Sequence, residues 1–345
     1  MGSFSFLSEP TVPVAIIQVL IGLFLLSKAA DLFVDGAVAC AKAAKLSPVV
    51  VGAVIVGFGT SAPELLVSGI AAAGGESVDK EGNVTNGLDV ALGNIVGSNV
   101  ANITLVLGVA ALVVPMLVTR AVIVREAPIS LGAVSLFAFF TIGGIALWEG
   151  VIMLLILGAI LSWIIFGGGD SVPEEEDDDE DRSISHSLGI TVVGLVGTVI
   201  GAQLMVWGAR GIAAALGLSG GFVGFTLIAI GTSLPELVTA VTAARKGEVD
   251  LILGNLLGSN MFNSLAVGGV VGLVGSGQFD DRLAAEYGVV AMVVVAVMAW
   301  VFMVTRRRIG RPEAAFSLAA YVFVILLISD LDVGEAIRDV IGSVG

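Results

Sequence analysis

Long apolar runs, separated by short polar segments, make up most of the chain and predict a series of membrane-spanning helices. About 20 residues of helix cross the hydrocarbon core of a bilayer, and ten runs reach or approach that length. Their continuity, as in VIMLLILGAILSWIIF at 151–166, excludes a β-barrel, whose strands alternate in hydrophobicity over segments of about ten residues. The pattern therefore predicts an all-α integral membrane protein with ten transmembrane helices. The runs lie near residues 13–35, 47–73, 88–117, 121–144, 148–167, 187–209, 219–244, 250–276, 286–305 and 314–330.

Composition agrees with a membrane protein. Hydrophobic residues make up 57% of the chain, 13% of the residues are charged, and the mean hydropathy is +1.04, whereas soluble domains carry about 25% charged residues. The first 12 residues contain no Lys or Arg, so we expect no cleavable signal peptide and interpret the first run as a retained helix. The sequence contains no HExxH motif, its one GxSxG match, GLSGG at 217–221, has no histidine nearby, and its single histidine, His186, lies outside the runs. We therefore expect no enzymatic activity.

A strongly acidic segment divides the ten runs into two sets of five. The stretch GGGDSVPEEEDDDEDRSIS, at 167–185, has no hydrophobic periodicity and is interpreted as a solvated linker. We expect a first five-helix repeat at 1–167, an acidic linker at 168–186 and a second five-helix repeat at 187–345. Because five is odd, the halves must enter the membrane from opposite sides, which predicts an inverted repeat.

The distribution of Lys and Arg predicts the orientation, because these residues favour cytoplasmic loops. With the N-terminus outside, 11 of them fall in inside loops and 4 in outside loops, while Lys28 lies within the first run. This predicts a multi-pass protein of the cell membrane with both termini outside and the acidic linker in the cytoplasm. The inside set comprises Lys42, Lys45, Arg120, Arg125, Arg182, Arg245, Lys246, Arg306, Arg307, Arg308 and Arg311.

Two short motifs occur once in each half of the chain. GTSAPEL at 59–65 recurs as GTSLPEL at 231–237. GNIVGSNVANI at 93–103 matches GNLLGSNMFNS at 254–264 at 6 of 11 positions. The first motif places a glutamate directly after a proline within an apolar run, and the second places serine and asparagine four residues apart. Both halves therefore carry the same polar side chains at membrane depth.

The two buried glutamates, Glu64 and Glu236, require a compensating charge. A charged residue at the centre of a membrane helix costs roughly 2.5 to 3.5 kcal/mol on insertion scales, and no Lys or Arg within an apolar run lies near either motif, since the basic residues cluster in loops. The preceding proline lacks an N–H and so releases the carbonyl four residues earlier, and unwound carbonyls of this kind coordinate small cations in transporters. Thr60 and Ser61 share a helical face with Glu64. Oxygen ligands without Cys or His suit a hard cation, Ca²⁺ above all.

These motifs resemble the two α-repeats of sodium/calcium exchangers in the cation/calcium exchanger superfamily, and the resemblance covers nearly the whole chain. It implies ten helices in inverted halves. It also implies that Glu64 and Glu236 bind Ca²⁺ directly and share Na⁺ sites. Further ligands implied by the resemblance are hydroxyl or carbonyl oxygens of Thr60, Ser61, Thr232, Ser233, Ser98 and Ser259 and backbone oxygens near Gly57 and Ala229, with Asn102 and Asn263 beside the central site.

The activity implied by the resemblance is secondary active antiport of Na⁺ against Ca²⁺ by alternating access. Three Na⁺ exchanged for one Ca²⁺ would move one net charge per cycle and make transport electrogenic. Some branches carry Asp where this chain has Asn263, and in the potassium-dependent branch that acid is associated with K⁺ transport, so we expect no K⁺ cotransport. The expected partners are Ca²⁺ and Na⁺ as substrates and the lipid bilayer, with no cofactor, no nucleic acid and no obligatory protein partner.

Three alternatives fit part of the same pattern. A Ca²⁺/H⁺ antiporter could trade Ca²⁺ for protons on the two glutamates, although that branch has Asn and Ala around the glutamate where this chain has Thr-Ser-x-Pro. A passive cation channel could use the same oxygens without coupling two fluxes. In a purely structural alternative, the glutamates make only buried hydrogen bonds between helices.

Overall fold

The computed structural model describes residues 12–44, 47–74, 76–78, 84–166, 184–215, 233–281 and 283–328. These residues are almost entirely helical. The α-helices are Val12–Ala44, Pro48–Val51, Gly57–Thr60, Ala62–Gly74, Gly87–Ala101, Leu107–Val113, Ala127–Phe140, Leu147–Phe166, Ile184–Ala215, Leu234–Lys246, Val249–Phe262, Gly268–Val274, Val289–Arg306 and Arg311–Ile328. Segments of π-helix are Gly52–Val56, Asn102–Val106, Val122–Glu126, Asn263–Val267 and Leu283–Gly288. Two antiparallel ladders pair Glu76–Val78 with Val84–Asn86 and Met116–Leu117 with Arg308–Ile309.

Eight helices in this part of the chain are long and apolar enough to cross a membrane. A ninth span results if Pro48–Thr60 and Ala62–Gly74, which are bent by 43° at their junction, are counted together. The predicted run at 219–244 is described only from residue 233 onward. The helical membrane architecture is confirmed, whereas ten helices in inverted order stays a prediction.

The first predicted run ends too early. The run ends near residue 35, but the helix Val12–Ala44 continues for nine more residues. Asp35 lies inside this helix, and its exposed carboxylate forms an ion pair with Lys246 at 2.6 Å. The polar residues therefore end the apolar stretch but not the helix.

Two long helices, Val12–Ala44 and Ile184–Ala215, pack against each other in antiparallel fashion. A Cβ atom added to Gly201 would lie 2.6 Å from the Leu26 nitrogen, and one added to Gly36 would lie 2.6 Å from the Thr191 nitrogen. Small residues allow membrane helices to approach this closely, where van der Waals packing replaces the hydrophobic effect. The pair therefore joins the first half of the chain to the second.

The centre of the molecule consists of the two helices that carry the second motif. We call Gly87–Val113 the first asparagine helix and Val249–Val274 the second asparagine helix. From Leu251 to Phe262 every residue of the second one is buried. By contrast, Leu147–Phe166 exposes large apolar side chains such as Leu155, which is 68% exposed. The asparagine helices therefore form the core, and the helices around them meet the lipid.

The bent span of the first half packs directly on the second asparagine helix. A Cβ atom on Gly52 would lie 2.6 Å from the Leu251 carbonyl oxygen, and one on Gly57 would lie 2.9 Å from the Ser259 nitrogen. Backbone therefore meets backbone at the point where the GTSAPEL motif begins. This contact brings the first motif of one half beside the second motif of the other.

Candidate cation-binding site

Glu64 lies in the first turn of the helix Ala62–Gly74 and is fully buried. The Ser98 hydroxyl donates to its Oε1 atom at 3.5 Å. The Asn94 amide nitrogen donates to the Glu64 backbone oxygen at 3.4 Å and to the Ser68 hydroxyl at 2.9 Å. The first asparagine helix thus holds both the backbone and the carboxylate of this glutamate.

Glu236 occupies the corresponding turn of the helix Leu234–Lys246 and is also fully buried. Neither of its carboxylate oxygens accepts a hydrogen bond from a described residue. The Glu64 carboxylate acts on it by charge, and the Thr60 hydroxyl is the side-chain donor that faces it without reaching normal hydrogen-bond geometry. Two carboxylates, one from each half, therefore share a buried site. The ion pairs formed among described residues lie elsewhere, as Arg125–Glu126, Lys246–Asp35 and Arg306–Glu313.

Thr60 and Ser259 form a cluster of oxygen atoms at the contact between the halves. The Thr60 hydroxyl lies 3.0 Å from the Val56 carbonyl oxygen, 3.2 Å from Asn255 Oδ1 and 3.2 Å from the Ser259 hydroxyl. The Ser259 hydroxyl lies 3.3 Å from the Gly57 carbonyl oxygen and 3.4 Å from Asn255 Oδ1. Five oxygens here share two hydroxyl protons. A cation can bind such an excess of acceptors.

Ser61 and Ser233, at the same position of the first motif, have the same backbone conformation and each directly precedes a helix. Ser61 has φ −82° and ψ 0°, and Ser233 has φ −88° and ψ 4°, a sparsely populated region in which active-site residues are frequent. Pro63 brings no N–H to the Gly59 carbonyl, and the Ser61 N–H is directed at the carbonyls of Gly57 and Gly59. The release of the Gly59 carbonyl is therefore partial. The hydroxyls of Ser61 and Ser233 are buried and make no hydrogen bond with a described residue.

Asparagines of the second motif form hydrogen bonds between the two asparagine helices, but equivalent asparagines of the two halves do not form the same bonds. The Asn102 amide nitrogen donates to Asn260 Oδ1 at 3.1 Å, and the Asn260 amide nitrogen donates to the Asn99 carbonyl oxygen at 3.2 Å. The Asn99 amide nitrogen donates to the Ser264 hydroxyl at 3.3 Å. Asn263, the repeat equivalent of Asn102, is fully buried, and neither atom of its amide bonds a described residue. A π-helical segment begins at Asn102 and at Asn263, and such segments are frequent at functional sites.

Most of the residues singled out in the sequence lie in this region, while Thr232 and Ala229 fall outside the described residues. The structure adds two asparagines, Asn94 and Asn255, to the predicted set. Each lies four residues before the serine of its motif, and on a helix that spacing places the pair on one face. The motif itself therefore contained the signal for both.

Unpartnered acceptor atoms are concentrated at the motifs. A buried polar atom without a hydrogen bond costs about 1 to 3 kcal/mol, so a cluster of them favours a bound cation. Among the described residues, no group of three or more His, Cys, Asp or Glu side chains could hold a metal ion, so the neutral oxygens must complete any coordination shell. The unpartnered acceptor atoms here are Ser61 Oγ, Ser233 Oγ, Asn99 Oδ1, Asn102 Oδ1, Asn263 Oδ1 and both carboxylate oxygens of Glu236.

Comparison with solved structures gives a close match in fold. The sodium-calcium exchanger NCX_Mj, soaked with 10 mM Na⁺ and 10 mM Sr²⁺, matches with a TM-score of 0.77 and 30% sequence identity, covering 91% of this chain and 98% of that one. Relatives are found among curated proteins as well. A protein of Alkalimonas amylolytica named as a candidate antiporter, CaxA, is 38% identical, over 90% of this chain and 97% of its own. The sodium/calcium exchanger MaX1 of Methanosarcina acetivorans is 28% identical, over 89% of this chain and 97% of its own.

A family model agrees with these relatives. The model described as sodium/calcium exchanger protein matches residues 14–166 and 186–329, which together contain all four motifs. The relatives are exchangers and antiporters, so they are transport proteins and not enzymes. The resemblance inferred from the motifs is confirmed, and the chain belongs to the sodium/calcium exchanger protein family.

Proposed function

We propose that the protein exchanges Na⁺ for Ca²⁺ across the membrane as a secondary active antiporter. The observation that carries this proposal is the pair of fully buried carboxylates, Glu64 and Glu236, one from each half. Neither oxygen of Glu236 has a hydrogen-bond donor among the described residues. Two like charges in a buried site destabilise the protein unless a cation or a proton compensates them. Family membership supports a cation/calcium antiporter.

In this proposal one Ca²⁺ lies between the two carboxylates, and neutral oxygens complete its coordination. Ca²⁺ takes six to eight oxygen ligands in flexible geometry, and the oxygen cluster around Thr60 and Ser259 supports such a shell. The neutral ligands proposed are oxygens of Thr60, Ser61, Ser98, Ser259, Thr232 and Ser233 and the backbone at Gly57 and Ala229, with Asn102 and Asn263 beside the ion.

Coupling follows from competition for the same charges. Ca²⁺ and Na⁺ ions both neutralise the two carboxylates, so the protein holds one set or the other. The site then changes the side of the membrane to which it opens only when it is loaded. If three Na⁺ replace one Ca²⁺, one net charge moves in each cycle. A membrane potential then contributes about 2.3 kcal/mol per 100 mV, and transport is electrogenic.

Alternating access is proposed to arise from two inverted halves, 1–167 and 187–345, joined by a cytoplasmic acidic linker at 168–186, with both termini outside. Three features support a repeat. Ser61 and Ser233 have the same backbone conformation, a π-helical segment begins at the last asparagine of each second motif, and each glutamate lies in the first turn of its helix.

The experiment is Ca²⁺ uptake into liposomes that contain the purified protein. We expect uptake only when the liposomes are loaded with Na⁺, and faster uptake when the potential favours the net charge movement. Uptake driven by a pH gradient without Na⁺ would replace this proposal with Ca²⁺/H⁺ antiport. Uptake without any counter-ion would identify a channel.

A further inference from the structure

A cavity of about 630 Å³ lies at the turn between the last two described helices, Val289–Arg306 and Arg311–Ile328, away from the buried glutamates. Three arginines dominate its wall. The residues that matter to its chemistry are Arg306, Arg308, Arg311, Glu313, Pro312 and Pro115. We call it the arginine cavity.

Backbone hydrogen bonds fix the wall of the arginine cavity. The strand Arg308–Ile309 pairs with Met116–Leu117 from the first half of the chain. The Val118 N–H donates to the Arg307 carbonyl oxygen at 2.9 Å. Arg307 itself has φ 48°, a conformation that non-glycine residues adopt rarely and that gives the turn its shape. These backbone contacts give the turn a defined conformation, which fixes the positions of Arg308 and Arg311.

Charge in the arginine cavity is strongly unbalanced. Arg306 pairs with Glu313 Oε1 at 3.1 Å, and the Gly310 N–H donates to Glu313 Oε2 at 3.0 Å. Arg308 and Arg311 are exposed and form no ion pair with a described carboxylate. Three arginines and one glutamate leave a net charge of +2 among these residues. Guanidinium groups bind phosphate oxygens through two parallel hydrogen bonds, so the cavity suits a phosphate.

The surroundings of the arginine cavity identify the source of the phosphate. It lies where two membrane-spanning helices end, at the level of the lipid headgroups. Phe316, one helical turn after Pro312 on the same face, is 60% exposed, and Leu117 on the paired strand is 70% exposed. Exposed apolar side chains thus lie beside the cavity, Leu117 at the level of Arg308 and Phe316 one helical turn along the last described helix. Inorganic phosphate makes no contact with apolar side chains, whereas the acyl chain of a lipid packs against them.

We propose that the arginine cavity binds the headgroup phosphate of an anionic phospholipid, with an acyl chain along Phe316 and Leu117. Basic cavities between membrane helices bind anionic headgroups. Positive charge at this end of the helices also favours a cytoplasmic location. That rule explains the presence of the arginines but not their arrangement around a cavity. The proposal rests on the membrane placement of the helices and is independent of which ions are exchanged.

The test is thermal unfolding of the purified full-length protein in detergent with added phosphatidylglycerol, phosphatidylcholine or inorganic phosphate. We expect phosphatidylglycerol to raise the unfolding temperature in a saturable manner and the other two additives to have little effect. Arg308→Gln and Arg311→Gln should each weaken the apparent affinity about fivefold, since one arginine contributes about 1 kcal/mol to such binding. Arg245→Gln removes the same charge from an exposed position outside the cavity and is the matched control.

Arg308→Lys distinguishes specific binding in the cavity from general attraction of anionic lipid by positive charge. Lysine keeps the charge but lacks the planar pair of donors of a guanidinium group. Weaker binding by this variant supports the cavity, and unchanged binding refutes it. Equal loss with Arg245→Gln would also refute it. Stabilisation by inorganic phosphate alone would show a free-anion site, and stabilisation by phosphatidylcholine would show general solvation by lipid. Either result contradicts the proposal.

Discussion

Glu64 and Glu236 stand at the same position of the same motif, yet their surroundings differ. The Ser98 hydroxyl donates to the carboxylate of Glu64, and Asn94 holds its backbone. The carboxylate of Glu236 faces the Thr60 hydroxyl but accepts no hydrogen bond of normal geometry from a described residue. Identical motifs therefore give the two glutamates different hydrogen-bond surroundings.

The last asparagine of the second motif shows the same difference between the halves. Asn102 donates to Asn260 across the interface between the asparagine helices, whereas Asn263 is buried and bonds no described residue. In both pairs the first-half member is tied into the protein and the second-half member is not. If the site binds a cation as proposed, we expect first-half residues to position the site and second-half residues to respond to binding.

Replacement of the glutamates should have the largest effect. Glu64→Gln and Glu236→Gln should each lower Na⁺-driven Ca²⁺ uptake into liposomes by about a hundredfold or more, because the bound Ca²⁺ would lose one of its two carboxylates, and breaking a buried ion pair costs about 3 to 5 kcal/mol. In buffer without Na⁺ and Ca²⁺, Glu236→Gln should raise the unfolding temperature more than Glu64→Gln, since it removes the carboxylate without a donor. The reverse order in stability would break the comparison.

Asn94 and Asn255, each four residues before the serine of its motif, should differ in what their replacement changes. One variant should mainly lower stability, and the other should mainly lower Ca²⁺ affinity. Asn94→Ala removes two hydrogen bonds from the Glu64 helix and should lower the free energy of unfolding by about 2 kcal/mol. Asn255→Ala instead removes the oxygen that faces both hydroxyls of the Thr60 and Ser259 cluster, and it should mainly weaken Ca²⁺ binding. Thermal unfolding with and without Ca²⁺ measures both. Equal effects from the two variants would show that the halves act alike.

A smaller effect is expected at the last asparagines of the second motifs. Asn263→Asp breaks no hydrogen bond to a described residue and adds a negative charge one helical turn beyond Ser259. It should lower stability without cations and increase the stabilisation by Ca²⁺. Asn102→Asp gives up the bond that its amide nitrogen donates to Asn260, and it should be less stable than Asn263→Asp by about 1 kcal/mol. Unfolding temperatures across a Ca²⁺ series check this order, and a more stable Asn102→Asp would contradict it.

Sequence predicted the membrane spans well because hydrophobic length is a local property. It also identified Glu64 and Glu236, because a carboxylate inside an apolar run is conspicuous without a structure. The unequal bonding of the halves was not predictable. Asn102 and Asn263 have the same motif and spacing, and only the packing of the asparagine helices decides which amide finds Asn260 or Asn99. The extension of the first helix past Asp35 was missed for a different reason, since a charged residue ends an apolar run without ending a helix.

The most direct measurement is equilibrium Ca²⁺ binding to the purified protein, titrated against Na⁺. The account predicts one Ca²⁺ per chain at the shared carboxylates, displaced by Na⁺ and abolished by either Glu64→Gln or Glu236→Gln. Ca²⁺ binding that survives Glu236→Gln, or that is indifferent to Na⁺, would contradict it.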